Sequence, residues 1–106
     1  MTLPEPAVQP TRYVVSCLPP DDINGAAFNI SVEYRGRSLW AVVRLGSCLN
    51  AAGQWSYESI PSGREDDWLA EHRFDLETAL KLAKEAAPHV TVNGYTVADA
   101  LRMADE

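Results

Sequence analysis

The chain has 106 residues, 46% of them apolar and 23% charged, a composition that excludes wholesale disorder and fits one globular domain. A chain this long buries roughly 60–70% of the surface it exposes when unfolded, enough for one modest core. It contains no apolar run long enough to span a bilayer, and its opening MTLPEPAVQP has neither the basic start nor the apolar centre expected of a signal peptide.

The net charge of −6 is unevenly placed. Residues 1–53 hold four acids and four arginines, whereas residues 54–106 hold eleven acids and five bases. Seven acids and two arginines fall between Glu58 and Glu77. Such a surface repels phosphate backbones, whose binding relies on Lys and Arg displacing counterions. It suits solubility or the docking of a basic partner. Two cysteines, Cys17 and Cys48, are too few for a stapled secreted domain, so reduced thiols and a cytoplasmic location are expected.

In chain order, residues 1–11 carry Pro4, Pro6 and Pro10 and read as a loose arm, with residues 12–106 forming a single domain. Arg12–Leu18 reads as a strand stopped by Pro19-Pro20, and Asp21–Gly25 as a turn. Over Ala27–Tyr34 the residues Phe28, Ile30, Val32 and Tyr34 alternate with Asn29, Ser31 and Glu33, the period-two pattern of a strand with one buried face. Arg35–Ser38 is expected to turn into a second, central strand over Leu39–Leu45. Gly46–Gly53 reads as a loop. Gln54–Ile60 reads as a strand with Trp55 and Tyr57 on one side and Ser56 and Glu58 on the other. Pro61-Ser62-Gly63 breaks it, and Arg64–Asp67 follows as a charged loop.

Trp68–Phe74 is ambiguous. Asp75 is a good N-cap, because its carboxylate can accept first-turn amides, and the break this implies favours a strand over residues 68–74. Leu76–Ala87 then carries an alanine-rich apolar stripe of helical period. Pro88 ends that helix. His89–Val92 reads as a short strand before an Asn93-Gly94 turn. Thr96 and Asp99 form a weak capping-box pair ahead of a helix over Val97–Ala104. Strands followed by helices predict an α+β fold: a mainly antiparallel sheet of four to five strands, with the 76–87 helix on one face and a short C-terminal helix.

No catalytic constellation rises above background. Cys17, Cys48, His72 and His89 lack the close pairs of a structural zinc site, Cys48 sits in no nucleophile motif, and Glu65-Asp66-Asp67 reads as a solvated run. Neither a metal nor a cofactor is expected. Trp55, Tyr57 and Trp68, with Glu65, Asp66 and Asp67, are the candidates for a protein interface, combining aromatics with acids. Arg35, Arg37 and Arg44, with Arg12 nearby, form the one candidate basic patch, and a hairpin can reach a nucleic-acid groove.

Three antiparallel strands followed by one amphipathic helix resemble, in element order, the small DNA-binding domains of the AP2/integrase-arm class. That resemblance implies a β3α nucleic-acid module, although the acidic second half departs from it. The wording WSYE, PSGREDDW, EHRFDLETAL and APHVTVNG between Trp55 and Gly94 resembles small uncharacterised proteins of actinobacteria and their phages, which implies an accessory gene product but no activity. The expectation is a non-enzymatic accessory or regulatory protein that binds a protein partner. The alternative is a nucleic-acid binder using the Arg35–Arg37 hairpin.

Overall fold

The computed structural model describes residues 2–58 and 65–104. The expected strand end at residues 59–60, the 61–63 break and Arg64 lie outside them. Five strands, β1 (Arg12–Val15), β2 (Ile30–Tyr34), β3 (Trp40–Arg44), β4 (Ser47–Leu49) and β5 (Trp55–Tyr57), form one antiparallel sheet in sequential order. Among the described residues four helices accompany them: α1 (Gly25–Phe28), α2 (Asp66–His72), α3 (Leu76–Ala86) and α4 (Val97–Ala104). The fold is α+β, with β3 at the centre of the sheet.

The register fixes what each face carries. Tyr13 lies opposite Val32, Val32 opposite Val42, and Leu49 opposite Trp55. Tyr13, Val15, Ile30, Val32, Tyr34, Trp40, Val42, Leu49, Trp55 and Tyr57 therefore point to one side. Arg12, Ser31, Glu33, Ala41, Cys48 and Ser56 point to the other. The first side is the core: α3 lies across β1, β2 and β3 there. Its Ala79 and Ala83 are fully buried, because a methyl side chain lets the helix axis approach the sheet closely. Burying Ile30, Val32 and Val42 beneath it contributes about 1.5–3 kcal/mol each.

Several local expectations are corrected. The first strand stops at Val15, where Ser16 Oγ accepts the Leu18 amide. The strand expected over Ala27–Tyr34 begins at Ile30. Ahead of it Asp22 Oδ1 accepts the Asn24 amide and Asp22 O the Gly25 amide, which starts the single turn α1. Phe28 is buried all the same. The 46–53 loop contains β4, joined to β3 by the two-residue turn Leu45-Gly46. Residues 68–74 are not a strand. α2 spans Asp66–His72, and Phe74 alone makes a bridge, its amide and carbonyl each bonded to Trp40. The expected break before α3 exists, but it separates two helices. The strand over His89–Val92 is also absent: residues 87–89 form a 3-10 turn containing Pro88, and Val92 bridges only Tyr95 across Asn93-Gly94.

The caps behave as expected. Asp75 accepts the Thr78 amide at 2.7 Å. Thr96 Oγ1 accepts the Asp99 amide while Asp99 accepts the Thr96 amide.

Candidate functional site

The two sides of the sheet differ in chemistry. On the side opposite α3, Glu58 receives Arg35 at 2.9 Å and Arg73 at 2.7 Å, and Arg35 also donates to Glu33 at 3.0 Å. The Glu58 and Arg73 side chains are nearly buried. Burial alone would raise the Glu58 carboxyl, but the hydrogen bonds from Arg35 and Arg73 outweigh it and hold the group at about 2. Cys48, wholly buried beside this cluster, is pushed up to about 11, chiefly by burial and further by Glu58, so its thiol stays protonated at neutral pH. No group of three or more His, Cys, Asp or Glu poised to hold a metal occurs among the described residues.

α2 covers the same side. His72 Nδ1 lies 2.7 Å from the Trp68 carbonyl oxygen, which can only accept, so Nδ1 carries the proton. Nε2 lies 2.9 Å from Ser56 Oγ, within hydrogen-bond distance of the hydroxyl. This is the geometry of an activated serine, but the Trp68 ring stacks on the imidazole at 4.1 Å and His72 is buried. The pair lines none of the hollows described below, so the arrangement fastens α2 to β5.

The side under α3 is incomplete. The helix covers β1–β3, Leu49 of β4 is still buried in the core, and beyond it β5 and the Ser47 end of β4 are left open. There Trp55 is 38% exposed, Tyr57 74% and Leu45 87%. Two hollows flank Trp55. One of about 340 Å³ is lined by Leu49, Trp55, Leu82, Glu85, His89 and Val90, and the other, of about 370 Å³, by Arg44, Leu45, Ser47, Trp55, His89 and Val90. Shared walls make them one cleft with an indole between its two halves. Arg44 donates to the Ala27 carbonyl at 2.7 Å, while its buried Nε has no hydrogen-bond partner among the described residues.

Leu45 adds a second signal. Leu45 and Gly46 both have left-handed φ, 51° and 80°, the pattern of a type I′ hairpin turn, which favours Asn-Gly. The Asn93-Gly94 turn obeys that preference. Leu45 breaks it, since a left-handed conformation costs a branched residue of this kind about 1–2 kcal/mol. The strained leucine is thus held out to solvent at the edge of the second hollow.

The interface candidates divide accordingly. Trp55 lies in the cleft, and Tyr57 stands beside it, opposite Ser47, which lines the second hollow. Glu65, Asp66 and Asp67 are exposed at the start of α2 across the sheet, where acids suit the helix dipole, and Trp68 is half-buried against His72. The arginines divide too. Arg12 and Arg35 share the α2 side, each tied to Glu33. Arg37 is exposed at the hairpin tip, facing α2 across a third hollow of about 640 Å³ that Asp66 and Leu69 help to line. Arg44 lies on the opposite side. Sequence reasoning missed Leu45, which was visible as a non-Asn residue before glycine, and the Glu58 cluster, whose partners are too far apart in sequence to signal it. The chain matches no protein-family model, no curated protein and no solved structure.

Proposed function

We propose that this chain is a small, non-enzymatic accessory or regulatory protein of the cytoplasm that acts by binding another polypeptide through the cleft at Leu45 and Trp55 and the Tyr57 ring beside it. The observation that carries this reading is the open β5 edge of the core face, where aromatics and a strained leucine stand in solvent. Exposed apolar groups gathered beside a cleft mark an interaction surface, and tyrosine and tryptophan are the residues that most often anchor one. The Ser56–His72 pair and Cys48 support a structural role, since His72 and Cys48 are buried and Ser56 is half-buried with its hydroxyl on His72.

Affinity capture with the folded chain as bait tests the reading. A specific partner should be retained by the wild-type chain and lost with Tyr57→Ser, whose ring is largely in solvent and contributes little to the fold. Capture that is indifferent to Tyr57 and Leu45 would count against the cleft. The alternative, a nucleic-acid module at the Arg35–Arg37 hairpin, has one supporting observation, the exposed Arg37. It predicts a gel shift at low ionic strength, where screening is weakest.

A further inference from the structure

The arm that precedes β1 has a pattern suited to the cleft. Residues 2–11 are exposed and form neither helix nor strand, with Leu3 79% and Val8 99% exposed. Proline fixes its own φ and pushes the preceding residue toward extended backbone. Pro4, Pro6 and Pro10 therefore bias Leu3, Pro4, Glu5, Pro6, Gln9 and Pro10 toward polyproline II. In that helix, with three residues per turn, Leu3-Pro4 and Pro6-Ala7 form successive apolar dipeptides on one side, about 9 Å apart, and Glu5 falls on another edge. A groove with two adjacent hollows on either side of an indole is a receptor such a segment fits. Trp55 separates the two hollows, and Arg44, with its unpartnered Nε, lines one of them. Glu5 is the arm's one charged side chain and is opposite in sign to Arg44.

The arm reaches its own cleft poorly. It leaves from β1, at the other edge of the sheet from β5, about 19 Å away at four strand spacings. α3 stands across β1–β3 on the intervening face, and Thr11 is pinned by its carbonyl, which accepts the Tyr34 amide. Nine residues of polyproline II span about 28 Å, most of it spent crossing the helix. A second copy presents no such barrier.

We infer that the cleft receives the residue 2–11 arm of a second copy of this chain, the two copies exchanging arms about a two-fold axis. This rests on the cleft being a polypeptide-binding surface and specifies its occupant. Two arms docked reciprocally give a self-complementary, closed dimer, and each docking raises the effective concentration of the other.

Sedimentation velocity of the full chain over a range of concentrations tests the exchange. The wild type should pass from monomer to dimer. The double variant Leu3→Asp/Pro6→Asp, altered only in the exposed arm, should keep the wild-type thermal unfolding and weaken the dimer by about tenfold or more, a loss of about 1.4 kcal/mol. Tyr57→Ser should do the same from the receptor side. Mixing the two variants should restore association that neither shows alone, because one intact arm then meets one intact cleft. A peptide of residues 2–11 should compete with the dimer and alter Trp55 fluorescence. A chain that stays monomeric throughout, or a dimer indifferent to the arm substitutions, overturns the exchange. If the exchange fails while a foreign protein is still captured in a Tyr57-dependent way, the docking surface stands and only its occupant was wrong. If both fail, the cleft reading falls with it.

Discussion

The two halves of the core face have the same kind of strands and opposite finishes. Under α3, across β1–β3, Ile30, Val32 and Val42 are fully buried. Past the helix, on β5, Trp55 and Tyr57 continue the same rows into solvent. The helix sets the boundary: an eleven-residue rod about 16 Å long covers three strands, and the sheet has five. The covered half supplies stability and the open half is the proposed contact area, so substitutions in the two should affect different measurements.

The sharpest separation is expected behind the sheet, where the open half is fastened. Arg73→Ala removes one of the two guanidinium groups on Glu58 and leaves a nearly buried carboxylate undercompensated. It should cost about 3–5 kcal/mol in chemical denaturation. A loss below about 1 kcal/mol would show that the cluster is solvated and does not hold β5. Within the covered half, Ala83→Leu forces three extra carbons between α3 and the sheet and should cost about 1–3 kcal/mol. Unchanged stability there would mean that α3 sits farther from the sheet than its buried alanines indicate.

Acid should weaken the fastening as well. The folded Glu58 carboxyl lies at about 2, below its ordinary 4.5. Its contribution is therefore present above the ordinary value and is lost as pH falls from there toward 2. Denaturation midpoints should decline over that window, and Glu58→Gln should flatten the decline. Leu45→Asn carries the smallest stability change and the opposite sign. Asparagine tolerates the left-handed turn, so thermal stability should rise by a fraction of the 1–2 kcal/mol strain, while binding through the cleft weakens. If binding is unchanged, the strain at Leu45 has no part in recognition.

The architecture was legible where a pattern is local. The alternation of Ile30, Val32 and Tyr34 marked β2, the alanine stripe marked α3, and Asp75 and Thr96 marked helix starts through bonds to residues three positions away. Errors arose where the decisive partner is remote. β4 is three residues long and paired on both sides, too short for a period to show. α2 was read as a strand because the cap at Asp75 demands only a break, and a helix before the break satisfies it equally well. Of the site, Trp55 and Tyr57 were legible as alternating aromatics. That the cover stops short of them was not, because it depends on where α3 lies on the sheet.

The doubly hydrogen-bonded bridge between Trp40 and Phe74 bears on how the molecule assembles. It closes a loop of more than thirty residues holding β4, β5 and α2, and the chain enters α3 two residues later. Loop closure must be met before such a non-local contact can reward it. The α3 roof should therefore settle late, together with β5 and not ahead of it. Nascent chains would then pass through a stage with the whole apolar face uncovered, when self-association is hardest to avoid.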